Sequence, residues 1–194
     1  MENTDRREQI MEAVIRQFRL KGVRFTMDDI AGDLHMSKKT IYTLYPDKES
    51  LMIDAVEHFF RSVKESENAV LTAPDLDYYE RLRKVLSAMP KKYEGMEFGE
   101  LWDVRDKYPR VYAALAKNLE NGWEPTIQLL EEGIKDGKLR NFSVPIFKTM
   151  METTLEQFFQ KDVLKKNRIS YRKALNEVVE ILINGIRNPE GDKA

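Results

Sequence analysis

The chain has 194 residues, 32 Lys and Arg against 33 Asp and Glu, 42% apolar residues and no cysteine. These values describe a globular protein of one or two domains rather than a disordered or fibrous chain. The missing cysteines exclude disulfides, thiolate catalysis and thiolate zinc sites. Apolar runs such as Ile181-Leu182-Ile183 fall far short of the roughly 20 residues a spanning helix needs, so no membrane partner is expected. The start Met1-Glu2-Asn3-Thr4-Asp5-Arg6-Arg7 leads into no apolar secretory core, which predicts a cytoplasmic protein. With two histidines, His35 and His58, and nine glycines without a phosphate-loop pattern, neither metal nor cofactor is expected.

Apolar residues recur at helical spacing almost throughout, predicting an all-α chain. The first helix runs from about Asp5 to Lys21, with Ile10, Ala13, Val14 and Phe18 inward and Gly22 as its stop. Thr26 caps a second, with Asp29 completing a shortened capping box and Ile30, Ala31 and Leu34 on the buried stripe. Ser37 caps a third that runs to the break at Pro46. Asp47 caps a long fourth, reaching about Leu71 on Leu51, Met52, Ala55, Val56, Phe59 and Val63. Further helices are expected near 75–89, 97–106, 110–121, 124–136, 145–164 and 170–187, with Pro90, Pro109, Pro125 and Gly137 as punctuation. Residues from Asn188 on read as a frayed tail.

Function is most legible between Thr26 and Leu51, where two short helices flank the turn Leu34-His35-Met36-Ser37. This is helix-turn-helix spacing, in which the first helix braces a second that lies in the DNA major groove. With Ile41 facing inward at 100° per residue, Leu44 and Tyr45 join it while Lys39 and Thr43 fall opposite, flanked by Thr40 and Tyr42. Lys38 and Lys39 can donate to guanine or phosphate, Thr40 and Thr43 offer a hydroxyl and a methyl, and Tyr42 can reach a phosphate. The helix starts at Thr26 and Asp47 can present backbone N–H groups to the DNA backbone. Net charge argues little, because residues 1–48 hold nine basic and eight acidic residues.

The pattern Phe18-x3-Gly22-x3-Thr26-x3-Ile30-Ala31-x5-Ser37-x3-Ile41-Tyr42-x2-Tyr45-x2-Lys48-x2-Leu51 resembles the N-terminal DNA-binding domain of the TetR family of bacterial transcriptional regulators, over roughly residues 6–60. The resemblance implies a three-helix DNA-binding domain at 1–48, followed by a helical ligand-binding and dimerisation domain at 49–194. It implies phosphate contacts from Thr26, Tyr42 and Lys48 and groove-facing readers at Lys38, Lys39, Thr40 and Thr43, with Ser37 as the cap. His35 occupies a turn position where the family usually has glycine, implying positive φ. Leu44 stands where the family often has an aromatic or His, and packs either on a thymine methyl or on the core.

In the remainder, the apolar stripes of 145–160 and 170–187 are wider than one neighbour requires. The resemblance assigns them to a homodimer through Phe158, Leu175, Val178, Val179, Leu182 and Ile186, which would present two recognition helices to a pseudo-palindromic operator on double-stranded DNA. It also implies an effector cavity in the middle segment, lined by Phe98, Trp102, Trp123, Phe147 and Met150 and suited to a hydrophobic or aromatic-cationic small molecule. Glu97, Glu100, Asp103 and Glu120 could pair with a cationic ligand, though solvated carboxylates are the simpler reading. The leading expectation is a dimeric, ligand-released repressor. A DNA-binding protein of the same fold controlled by a protein partner is the alternative, and an enzyme is disfavoured because no nucleophile–base pair or metal cluster stands out.

Overall fold

The computed structural model describes residues 2–96, 98, 102–160 and 163–189, without the side chains of 2–5, 102, 103, 106 and 160. Eleven α-helices are present among the described residues: α1 Glu2–Lys21, α2 Met27–Asp33, α3 Lys38–Leu44, α4 Lys48–Leu71, α5 Tyr78–Leu86, α6 Trp102–Lys107, α7 Pro109–Glu120, α8 Glu124–Lys135, α9 Val144–Gln160, α10 Val163–Asn167 and α11 Tyr171–Ile186. None is long and apolar enough to cross a membrane.

The helix starts follow the expected capping chemistry. Thr26 Oγ1 accepts from the Asp29 amide at 3.1 Å, and the Asp29 carboxylate accepts from the Thr26 amide at 2.8 Å. Ser37 accepts from the Thr40 amide at 3.2 Å, and Asp47 from the Ser50 amide at 2.7 Å. Each such cap is worth about 1 kcal/mol against alanine. Gly22 ends α1 at φ +57°, a left-handed conformation that costs glycine little. Pro125 lies in the first turn of α8, so the stretch from 110 to 136 is two helices, as the break at Asn121-Gly122 suggests.

Differences from the expected elements lie mostly in the middle of the chain. The helix expected over 75–89 is confined to α5, because Asp77 caps it late and Pro90 leads into a 3-10 turn at Lys91–Tyr93. Its neighbour, expected over 97–106, is described only from Trp102, since residues 97 and 99–101 lie outside the described ones. Of the single helix expected over 145–164, the described parts are α9 and α10, residues 161 and 162 between them lying outside the described ones, and α10 is closed by Arg168 at φ +54°. The tail is not free at its start. An isolated bridge pairs Leu139 with Arg187, and the Asn188 amide donates to the Lys138 carbonyl at 3.0 Å.

Two apolar cores form. The first gathers α1–α3 around Ile10, Ala13, Phe25, Ile30 and Ile41, and is completed from beyond residue 48 by Leu51 and Met52 of α4, Val104 of α6 and Val111 of α7. The second fills the space among α4, α5, α7, α8, α9 and α11, with Leu82, Leu130, Met151, Val179 and Ile183 almost wholly enclosed. Phe18 and Val56 pack against both. Buried apolar area of this extent is the main favourable term for the fold.

Within the second core α5 and α8 approach closely at Gly133, where a Cβ would stand 1.8 Å from Tyr78 Oη. The Tyr78 hydroxyl donates to the Leu129 carbonyl at 2.9 Å, so the ring is held where the glycine leaves room. Gly133→Ala should destabilise by about 1–3 kcal/mol through overpacking, outweighing the gain in helix propensity. Thermal unfolding of the single variant and of its pair with Tyr78→Leu checks this, because the alanine should become benign once the ring is gone.

His58 of α4 is buried and joins three segments. Its Nδ1 lies 3.2 Å from Tyr93 Oη, its Nε2 lies 3.1 Å from the Glu8 carboxylate of α1, and Lys92 Nζ approaches Nε2 at 3.4 Å. Burial is the largest influence and holds the imidazole below the usual histidine range, helped by Lys92 and Arg61 and opposed by Glu8 and Asp54. The unfolded chain therefore takes up this proton first as pH falls. Stability from His58 is full above about pH 6.5 and declines on acidification toward the lower folded value. Melting temperatures at pH 7.5 and 5.5 should show a drop that His58→Gln reduces.

Candidate nucleic-acid interface and ligand cavities

The recognition unit is built from α2, the turn and α3. Ile41 is fully enclosed and Tyr45, at the end of α3, is 4% exposed, with its hydroxyl donating to the Asp54 carboxylate of α4. These two anchors fix the rotation of α3. Leu44 is half-buried against the same core, so it serves packing rather than the outer face. His35 takes φ +52° in the turn, and its amide donates to the Gly32 carbonyl at 3.2 Å. Histidine bears this left-handed conformation better than most side chains.

Opposite Ile41, the side chains of Lys39, Tyr42 and Thr43 are exposed, with Ser37 and Lys38 at the helix start and half-buried Thr40 beside them. Thr43 Oγ1 donates to the Lys39 carbonyl at 2.7 Å, which leaves its oxygen as an acceptor toward the outside. Lys39 makes no ion pair among the described residues. Lys38 is different, because its ammonium is 2.6 Å from Asp28 of α2, a contact that raises its affinity for the proton. Thr26 is exposed at the start of α2, but its hydroxyl already serves the cap.

Lys48 points inward. Its ammonium donates to the Val23 carbonyl and lies 4.5 Å from the Phe25 ring centroid and 5.3 Å from that of Tyr108, at the start of α7. Burial holds this amine below the usual lysine range. A phosphate contact from Lys48 would have to replace these cation–π and carbonyl contacts. Without DNA, Lys48 is a clamp joining Val23 and Phe25 to α7, a contact across 25 and 60 positions that no local pattern signals. Glu49 extends the clamp, 3.6 Å from the Arg110 guanidinium.

Most acids of the first three helices are already used. Arg16 binds Asp33 at 2.6 Å and Lys21 binds Asp29 at 2.6 Å. The Lys21 ammonium and the Thr26 cap hold the Asp29 carboxyl down to about 2, and Arg16 holds that of Asp33 below its ordinary value. Paired carboxylates repel phosphate less than free ones, so a nearly neutral domain still presents Lys39 on a hydrogen-bonding face.

Two cavities lie behind this unit. The first, about 80 Å³, is lined from α1 by Ile15 and Phe18, from α4 by Ala55, Val56 and Phe59, and also by Phe25, Tyr93 and Phe98. A second of about 80 Å³ shares Phe59, Phe60 and Phe159 with it and adds Trp123, Met89, Asn118, Lys64 and Glu67. Lys64 binds Glu67 at 2.8 Å and donates to the Gly122 carbonyl at 2.7 Å, while burial raises the Glu67 carboxyl above its ordinary value. Of the expected lining residues, Phe98 and Trp123 border these spaces. Phe147 is packed into the core and borders neither, and Met150 is 51% exposed on the outer side of α9. The helical stripe of α9 has two sides, and only that of Phe147 and Met151 faces inward. The side chain of Trp102 lies outside the described residues, as do those of Glu97, Glu100 and Asp103; Glu120 is exposed.

The expected dimer residues divide similarly. Leu175, Val179 and Ile186 are buried in their own core and have no surface to offer a partner, whereas Phe158, Val178 and Leu182 are half-buried. The large apolar groups exposed on α9 and α11 are instead Ile146 at 62%, Met150 and Ile181 at 70%, and periodicity does not say which flank of a wide stripe the chain itself covers.

Residues 10–55 match the sequence model described as bacterial regulatory proteins, tetR family. Along nearly the whole chain, an uncharacterized HTH-type transcriptional regulator of Bacillus subtilis, YvaF, is 26% identical over 183 residues, covering 94% of this chain and 96% of its own. The fold is shared with a TetR-family regulator from Cytophaga hutchinsonii, at TM-score 0.71, 21% identity and coverage of 96% and 97%. It is also shared with the regulator FadR from Bacillus subtilis in complex with stearoyl-CoA, at TM-score 0.65, 20% identity and coverage of 93% and 99%.

Charge rearrangement on the reading face gives opposite effects for two variants. Lys39→Ala should weaken specific DNA binding by about 1–3 kcal/mol per half-site if the amine reads a base, and flatten the salt slope if it meets phosphate. Asp28→Asn frees Lys38 for phosphate, so it should tighten non-specific binding and steepen the slope of log K against log salt by about 0.9 for each lysine released. Fluorescence anisotropy over a salt series with specific and random duplexes measures both.

Proposed function

We propose that this chain, a transcriptional regulator of the TetR family that binds DNA and is not an enzyme, acts as a homodimeric repressor released from a pseudo-palindromic operator by a small hydrophobic or aromatic-cationic molecule. The observation that carries the reading is the continuity of α4. Its first residue clamps the DNA-reading unit through Val23 and Phe25, and further along the same helix Phe59 and Phe60 form the wall common to both cavities. Effector binding would favour a position of α4 in which the two α3 helices no longer match successive major grooves. Operator and effector then compete through one conformational equilibrium. The stearoyl-CoA bound by the FadR neighbour supports a small-molecule effector on this fold. Activity in the cytoplasm, where the operator is, goes with this reading.

The dimer in this reading uses the outer sides of α9 and α11, on which Ile146, Met150 and Ile181 expose large apolar groups and Phe158, Val178 and Leu182 are half-buried. Two such surfaces meeting about a twofold axis would bury each residue twice. Sedimentation should find a dimer at micromolar concentration. Ile181→Asp should split it with little loss of monomer stability, since this side chain is outside the chain's own core. A wild type that sediments as a monomer, or that fails to retain any fragment from a genomic DNA pulldown, would overturn the proposal.

A further inference from the structure

Among the described residues, the cavity between α1, α4 and α7 differs from its neighbour in having no charged side chain on its wall. The polar tip among them is the Tyr93 hydroxyl, already engaged with His58. An ammonium or carboxylate placed here would lose its hydration and find no opposite charge among the described residues of the wall, so the charged form is disfavoured. Its volume of about 80 Å³ is roughly half that of a 150 Å³ apolar cavity that stays dry yet accepts benzene or xenon. The space therefore suits a few carbons of an uncharged chain.

Its position is as telling as its lining. Ile15 and Phe18 belong to α1, and Phe25 immediately precedes the Thr26 cap of α2. The Phe25 ring also carries the Lys48 ammonium, which in turn touches Tyr108. Resting on the ligand-responsive reading above, we propose that this junction cavity binds a short uncharged alkyl group, free or as the end of a longer chain, and that filling it displaces Phe25 and so weakens operator binding. This commits the effector to an uncharged alkyl contact at the DNA-binding unit itself and excludes a cationic group there.

The test uses the full chain with xenon, n-pentane, pentylammonium and pentanoate as probes. Crystals under xenon pressure should show a xenon atom among Phe18, Phe25, Val56 and Phe59. Pentane should raise the melting temperature, by about 5–10 °C at 100 times its Kd, while both ions leave it unchanged. Pentane should also weaken binding to an operator fragment selected from genomic DNA by about fivefold or more. Ala55→Leu, which fills the space, should abolish the xenon site and both pentane effects; Val56→Ile serves if the leucine variant does not fold. Absence of xenon and pentane binding to the wild type, equal binding of pentylammonium, or binding undiminished in the filled variant each overturns the site. Pentane that binds in the cavity yet leaves operator affinity intact overturns its coupling to Phe25. Failure of the ligand-free wild type to bind any DNA overturns the regulator reading instead, and leaves the xenon and melting results to decide the cavity.

Discussion

Everything in this structure hangs on the burial of one helix in two places. α4 is 24 residues long, about 36 Å at 1.5 Å per residue, and it enters the first core through Leu51 and Met52 and the second through Phe60. A rod packed at both ends cannot rotate in one core without disturbing the other, because interiors are close-packed and resist continuous deformation. The capping box at Asp47 and the inward clamp of Lys48 make its first turn the least yielding point of contact with the DNA-reading unit. The core on which α1–α3 rest thus extends past residue 48, since α4, α6 and α7 supply part of it.

The reading face shows how a domain with nearly balanced charge can still address phosphate. Carboxylates on α2 are consumed by caps and by Arg16, Lys21 and Lys38, all within the same three helices. Exposed pairs of this kind add little stability, commonly under about 1 kcal/mol each. Their effect is on the field, which they leave to Lys39 and to the hydroxyls of Tyr42 and Thr43.

Local chemistry was the legible part of this sequence. Caps at Thr26, Ser37 and Asp47 and the inward placement of Ile41 and Tyr45 depend on neighbours within a few positions, and each is where spacing puts it; the positive φ at His35 is where the resemblance implies it. Contacts between distant segments were not legible in the same way. The resemblance implies a phosphate contact for Lys48, and nothing in the spacing signals its partners Val23, Phe25 and Tyr108, which share no periodicity with it. The resemblance gives Leu175 and Val179 to a partner and Met150 to a cavity, and the pattern does not correct it, because a wide stripe records how much of a helix is covered and not by what. The cavity at the junction takes most of its described wall from α1 and α4, outside the aromatic cluster in the middle of the chain.

The bridge between Leu139 and Arg187 gives the far end of the molecule a mechanical character of its own. With the Asn188 amide on Lys138 and the Arg140 amide on Ile186, the last turn of α11 is stitched to the loop between α8 and α9. The final helix is therefore pinned at its end as well as packed along its length. A tilt imposed on α11 from outside would have to carry the α8–α9 corner with it or break these main-chain links.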